Sequence, residues 1–376
     1  MIRKVLFFLF SLMLYVNCAQ AKDTDENSFF LIVGSYSDGT TPGITVYDFN
    51  VQNGDYKYLS DIKEVMEPSY LVASRDEQTI YSVNETREGG VSAFRFDKAT
   101  GSLSPINSQP AEGAHPCYIN TDEWNNFIVT ANYTGGNISV FPINTDGSIK
   151  PMSMKIDFKI PDLPASHIHT VVFSPDETRL LATDLGKDRI YSFEVKPDAK
   201  ETFLALPPES VTQLEPGSGP RHLAFHPNGK YLYCINELSG KVAVFTYKEN
   251  KLEAIQYIAS DTTQTANKKG SADIHLTSDG RFLYSSNRLR ADGIAIFSVN
   301  QETGMLTTVG YQSTGVHPRN FIITPNDKFL LCANRDTNNI QIFEIDATTG
   351  LLSDTGKEIS LGKPVCLKLI RECDCY

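Results

Sequence analysis

An imidazole, a carboxylate and two guanidiniums held together make a site for acid–base chemistry on an anionic ligand. His169, Arg221, Glu237 and Arg288 supply those groups. A carboxylate can take a proton from water, and an imidazole near its ordinary pKa of about 6.5 serves in either state. Paired arginine N–H groups grip a carboxylate or a phosphate. Further polar residues are spread along the same chain: His115, His167, His222, His275, His317 and Arg319, with Glu85, Asn132, Tyr133, Asp184 and Arg335. Sixteen residues separate Arg221 from Glu237, so only a fold that returns the chain repeatedly to one place can gather this set. Neither G-x-S-x-G nor H-E-x-x-H occurs, and no serine or cysteine nucleophile stands beside a placed base.

The element that could position them is a repeat. Strand-like apolar runs ending in Asn or Asp, then a polar turn and another strand, recur as VNETREGGVSAF, ANYTGGNISVF, TDLGKDRIYSF, INELSGKVAVF, SNRLRADGIAIF and ANRDTNNIQIF. Turns such as SPDET, HPNGK, TSDGR and TPNDK separate most of these runs from an earlier strand, and NTDGSI, NQETGML or DATTGLL lead to a later one. Each unit therefore reads as four antiparallel strands joined by tight turns. Unit starts at Pro68, Pro116, Ile168, Pro220, Ala272, Pro318 and Pro364 lie 46 to 52 residues apart, close to the ~40–50 residues of a propeller blade. The last start supplies only Val365–Ile370, and residues 29–59 lack a first strand. Those two fragments make one blade. The prediction is an all-β, seven-bladed β-propeller with four antiparallel strands per blade, closed by pairing the N- and C-terminal strands.

In such a blade the start of the first strand and the end of the second meet near the axis at the same end. First-strand starts carry His115, His167, His169, Arg221, His222, His275, His317 and Arg319. Second-strand ends carry Glu85, Asn132, Tyr133, Asp184, Glu237, Arg288 and Arg335. Six of the seven histidines thus map to one face of one ring, as a concave acid–base site requires. Structural readings stand beside the functional ones. Asn132, Asn236, Asn287 and Asn334 can simply close turns through their amides, His115 and His317 can merely line the mouth, and His226 belongs to a turn at the opposite end. His169, Arg221, Glu237 and Arg288 converge from three successive blades, which favours function.

Bulk properties narrow the partners. A net charge of −11 with no basic run argues against nucleic acid. Arg3 and Lys4, the apolar run Val5–Val16 and Ala19-Gln20-Ala21 read as a cleavable signal peptide over residues 1–21. The propeller then fills residues 22–376 as one domain, exported to the periplasm. The apolar run is short for a transmembrane span. Lipid attachment at Cys18 is the alternative, although Tyr15-Val16-Asn17 matches that processing poorly. Cys234, Cys332 and Cys366 lie in apolar runs, while Cys373 and Cys375 form a C-x-C too sparse for zinc. The export compartment allows a disulfide but does not demand one.

The sequence resembles the propeller-type lactonases: the propeller class of bacterial 6-phosphogluconolactonase and the fungal carboxy-muconate lactonising enzyme. The stretches that carry the likeness include HPCYINTDEWNNFIVTANYTGGNISVF, HIHTVVFSPDETRLLATDLGKDRI and GSGPRHLAFHPNGKYLYCINELSGKVAVF. SADIHLTSDGRFLYSSNR and HPRNFIITPNDKFLLCANRDTNNI extend it over essentially the whole mature chain. The resemblance implies hydrolysis of a small anionic lactone with no cofactor and no metal. Its proposed active site of a histidine, two arginines and a glutamate matches His169, Arg221, Glu237 and Arg288, with Arg319 competing for the second arginine. His167, His222, His275, Arg319 and Asn132 follow as substrate-binding candidates. Either His169 or Glu237 is the base. A calcium site would draw on Glu237, Asp273 and Asp184, against the charge of the flanking arginines. A non-enzymatic binding platform is the rival from outside enzymology. The signal peptide departs from a family whose phosphorylated substrate is cytosolic.

Overall fold

Alternating apolar residues, many of them β-branched, favour pleated strands packed on both faces, and Gly, Asn and Asp punctuate them with tight turns. The computed structural model describes residues 26–158, 164–197, 203–205, 207–208, 210–262 and 269–372. The segment 1–21 with Cys18, and also Cys373 and Cys375, lie outside the described residues. Within them the chain forms seven four-stranded antiparallel sheets. Blade 1 joins Ser28–Ser35, Ile44–Asn50 and Tyr56–Ile62 to the C-terminal strand Pro364–Arg371. Blades 2 to 7 follow in chain order, with inner strands Leu71–Ala73, Pro116–Thr121, Ile168–Phe173, Pro220–Phe225, Ile274–Leu276 and Pro318–Ile323. Each inner strand touches the next, and Pro364–Arg371 touches both Pro318–Ile323 and Leu71–Ala73, so the ring is closed.

The closing blade is the one expected from the repeat. Phe29 pairs with Arg371 and Gly34 with Cys366 along an antiparallel ladder that joins the two ends of the chain. Hydrophobic side chains fill the spaces between blades. Tyr233, Val242, Val244, Leu283, Ala295 and Phe297 form one such layer between blades 5 and 6. A recurring polar staple crosses these layers. The hydroxyls of Tyr81, Tyr233 and Tyr284 donate to the carbonyls of Gly147, Gly304 and Gly350 in the following blade, at 3.0, 2.9 and 2.8 Å. Gly304 has φ +71, and an added Cβ there would lie 2.4 Å from the Tyr231 ring, so no other residue fits the turn.

Cys117, Cys234, Cys332 and Cys366 are buried free thiols, which leaves no disulfide among these four. No helix among the described residues is long and apolar enough to cross a membrane.

Candidate active site at the mouth of the ring

Two local devices build the site. The first is a β-bulge at the same place in five inner strands. In blade 5, Pro220 faces Asn236 while His222 faces Ile235, so Arg221 is the extra residue. The same one-residue shift leaves His169 extra in blade 4, Arg319 in blade 7, Cys117 in blade 3 and Val365 in blade 1. A bulge twists the strand and re-aims the side chain that it leaves unpaired. Three of the five residues singled out this way, His169, Arg221 and Arg319, are site candidates.

The second device is a backbone bond that levels the two strand ends. The amide of Glu237 donates to Gly219 O at 2.7 Å, Tyr133 to His115 O at 2.9 Å, Leu185 to His167 O at 2.9 Å and Arg335 to His317 O at 3.1 Å. In each case the residue after the second strand is tied beside the start of the first. The Asn and Asp residues just before them close the turns: Asp184 accepts from Ser166 Oγ, His167 N and Gly186 N, and Asn236 donates to Lys241 O.

At the centre Glu237 Oε2 lies 3.0 Å from Arg221 Nε and 3.1 Å from Arg288 Nη2. Burial would raise the Glu237 carboxyl, but the charges of Arg288, Arg221 and Arg319 outweigh it and hold the group below the usual carboxylate range. Arg221 and Arg288 are 2% and 5% exposed. Burial pushes the Arg288 guanidinium down, Glu237 pulls it up, and Arg221 and Arg319 push it down again. Arg288 is further pinned by Gly270 O at 2.6 Å and Ser271 O at 3.3 Å.

His169 is 4% exposed and packs edge-on against Tyr133 at 5.7 Å and His222 at 5.2 Å. Burial first, and then the Arg221 charge, push it well below its ordinary value, so the ring is neutral. Its Nδ1 is sealed without a partner. A sealed lone pair costs less than a sealed N–H, and on that ground the proton is assigned to Nε2.

The other candidates sort by position. His167 stacks on Tyr133 at 4.5 Å on the rim, and its Nδ1 donates to Tyr133 O at 3.0 Å. His317 meets Arg288 at 3.4 Å, and burial together with Arg288 pushes it down to about 3. Arg319 joins the mouth from the other side, 3.6 Å from Glu85 Oε2 and 5.4 Å from the Tyr36 ring. Tyr36 also donates to Glu85 at 3.0 Å. Glu85 occupies in blade 2 the place that Glu237 occupies in blade 5, a correspondence visible in the repeat; Tyr36 leaves no such trace.

Two candidates stand apart from the arginine cluster. Asn132 is fully buried, and its amide donates to Ser139 Oγ at 2.9 Å and accepts from Thr130, so it serves its own blade. His275 is drawn to Asp273 at 3.0 Å. It lines an axial cavity of about 300 Å3 with Pro227, Thr277 and Ser278, residues of the turns at the far ends of these strands. His222 lies between this cavity and the mouth, bonded to Asp273 and Arg221. The three acids weighed for calcium are thus engaged separately, Glu237 by guanidiniums, Asp184 by its turn and Asp273 by histidines. No metal-holding group of three or more His, Cys, Asp or Glu side chains is found among the described residues.

Known proteins share this architecture. The family model described as lactonase, 7-bladed beta-propeller, matches residues 30–369. A 6-phosphogluconolactonase of Formosa agariphila is 39% identical over 343 residues, which span 88% of this chain and 96% of that protein. A crystal structure from Bacteroides fragilis is 49% identical, with a TM-score of 0.88 over 93% of this chain and 99% of its own. The periplasmic gluconolactonase of Pseudomonas aeruginosa is 31% identical, with a TM-score of 0.86 over 91% of this chain and 99% of its own.

Proposed function

This chain belongs to the family of seven-bladed β-propeller lactonases, and from that premise we propose that it hydrolyses a sugar-type lactone at the mouth of the ring, without a metal ion. The observation that carries the reading is Glu237 gripped between Arg221 and Arg288 beside a neutral His169. Relatives named for lactone hydrolysis favour an enzyme over the binding-platform alternative.

In the proposed reaction Glu237 takes a proton from a water molecule as that water attacks the lactone carbonyl. The Nε2–H of His169 and the arginine N–H groups donate to the oxyanion, which a dry, preorganised site stabilises strongly. Collapse of the tetrahedral intermediate breaks the ring C–O bond. The departing oxygen takes the proton from Glu237, giving a hydroxy acid whose carboxyl ionises to solvent. A low pKa makes Glu237 a weak base, but it keeps the carboxylate ionised and in place. Arg221, Arg288 and Arg319 outnumber Glu237 and Glu85 at the mouth, which suits an anionic substituent or the developing carboxylate. His167 on the rim contacts the substrate in this reading.

Export is part of the proposal, resting on residues 1–21, with either a periplasmic protein or an anchor at Cys18. The relative named as a periplasmic gluconolactonase is consistent with that compartment. A natively expressed protein recovered from cytosol with Met1 intact would overturn it. Function is tested by proton release in a pH-stat, corrected for spontaneous opening, on glucono-1,5-lactone and its 6-phosphate, with and without chelator. Turnover of either that survives chelator is expected. Loss of turnover in chelator would remove the metal-free scheme, and no turnover of any sugar lactone would remove the reading.

A further inference from the structure

Beneath the Glu237 cluster lies a buried polar pair that this acid–base scheme leaves unused. His222 and Asp273 are 4% and 1% exposed. The Asp273 carboxylate accepts from His222 Nδ1 at 2.7 Å, Ile274 N at 3.0 Å, His275 Nε2 at 3.0 Å, Phe321 N at 3.2 Å and Asn320 Nδ2. Burial would raise Asp273, but His275 and His222 hold it well below the carboxylate range. An ionised carboxylate only accepts, so Nδ1 carries the proton of His222 and Nε2 presents a lone pair. That lone pair faces Arg221 Nη1 at 3.1 Å, while Nη1 also donates to Ala272 O at 2.6 Å. Burial and the Arg221 charge push His222 down to about 3, which keeps its ring neutral and able to accept. The rings of Tyr70, Tyr118 and His169 surround it edge-on at 5.9, 5.4 and 5.2 Å and fix its plane.

Arg221 is thereby held on two sides. Its Nε lies 3.0 Å from Glu237 Oε2 as a charge contact without hydrogen-bond alignment, and its Nη1 is taken by His222 and Ala272. Nη2 takes part in none of these contacts and remains for a ligand. We infer that Asp273 and His222 are positioning residues, which fix the Arg221 guanidinium so that its charge stays beside Glu237 and Nη2 faces the bound lactone. This inference rests on the lactonase reading for its substrate. A merely structural role fits poorly, because a buried imidazole wedged against a guanidinium is a costly filler where an apolar side chain would pack more cheaply.

The test uses two replacements that divide the imidazole's bonds. His222→Asn keeps a donor at the place of Nδ1 but is too short to meet Arg221. His222→Gln can set its amide oxygen where Nε2 stood. Turnover of glucono-1,5-lactone and calorimetric binding of gluconate are measured for each variant, alone and with Arg221→Lys. Misplacing a catalytic group by about 1 Å can cost 10²-fold, so His222→Asn is expected to lower kcat/KM by about tenfold or more. His222→Gln should stay within about threefold of wild type. On the Arg221→Lys background His222→Asn should cost less than about twofold, because residues that act through one another are not additive.

Equal losses on both backgrounds would overturn the inference. So would a Gln variant with unchanged melting temperature that fails as badly as Asn, or an Asn variant as active as wild type. If Asn does not fold, the Gln variant decides alone. If wild type opens no lactone, the functional reading fails, while the gluconate cycle still tests how Arg221 is held.

Discussion

At the scale of single residues, charge and burial assign different duties to groups that look alike in sequence. Arg288 and Arg319 compete for one place when motifs are matched, yet they do not compete in space. Arg288 touches Glu237, whereas Arg319 faces Glu85 across the mouth. If Arg288 holds the anionic group equally in ground and transition states, Arg288→Ala should raise KM about tenfold or more with kcat within a few-fold. Steady-state kinetics on an accepted lactone would show it. The pH profile separates the two candidate bases. Glu237 is held below its ordinary value of 4.5, so its ionised form, and with it kcat/KM, should persist through pH 5 and be lost only as pH falls through the depressed value. His169 is neutral throughout and should add no limb between pH 6 and 7. An inflection in that window would return the base role to the imidazole.

At the scale of elements, the blades were legible because a strand's two-residue period and its turn residues are written locally. The hairpin rule placed Arg221 and Glu237 together across sixteen residues, and they meet at 3.0 Å. The bulges were not legible. A one-residue shift of register leaves no compositional trace, yet it turns Cys117, His169, Arg221 and Arg319 out of the ladders. Asn132 shows the converse. Its sequence position matches Asn236 and Asn334, and like them it spends its amide within its own blade, on Ser139. Asp273 stood out as an acid, whereas its service to His222 depends on a neighbouring inner strand fifty-one residues away. Between blades, the tyrosine staples give an element-scale prediction. Tyr233→Phe leaves the Gly304 carbonyl unpaired in a dry interface, and should cost about 1–3 kcal/mol in denaturant unfolding without changing kcat. A loss under a few tenths would mean that water replaces the hydroxyl.

For the whole molecule, the site exists only because the ring closes. His169, Arg221, Glu237, Arg288, Arg319 and Glu85 come from five different blades, and none of those blades holds more than two of them. The ladder between Ser28–Ser35 and Pro364–Arg371 is what shuts the circle. A chain ending at Gly362 should therefore lose cooperative melting and all lactonase activity together. A truncated chain that melts as wild type would show that closure is dispensable. The seven blades and the joined termini were predictable from the repeat, since only one inner strand was missing at the start and only one was left over at the end.

The most direct measurement of the central claim is proton release from an accepted sugar lactone by Glu237→Gln beside wild type, at matched folding and in chelator. Glutamine keeps the size and hydrogen bonding of the side chain while removing its charge and basicity. The account predicts a fall in kcat of about 10²-fold or more, with the melting transition still cooperative. Full activity in Glu237→Gln would contradict it and leave the clasped carboxylate without a part in the chemistry.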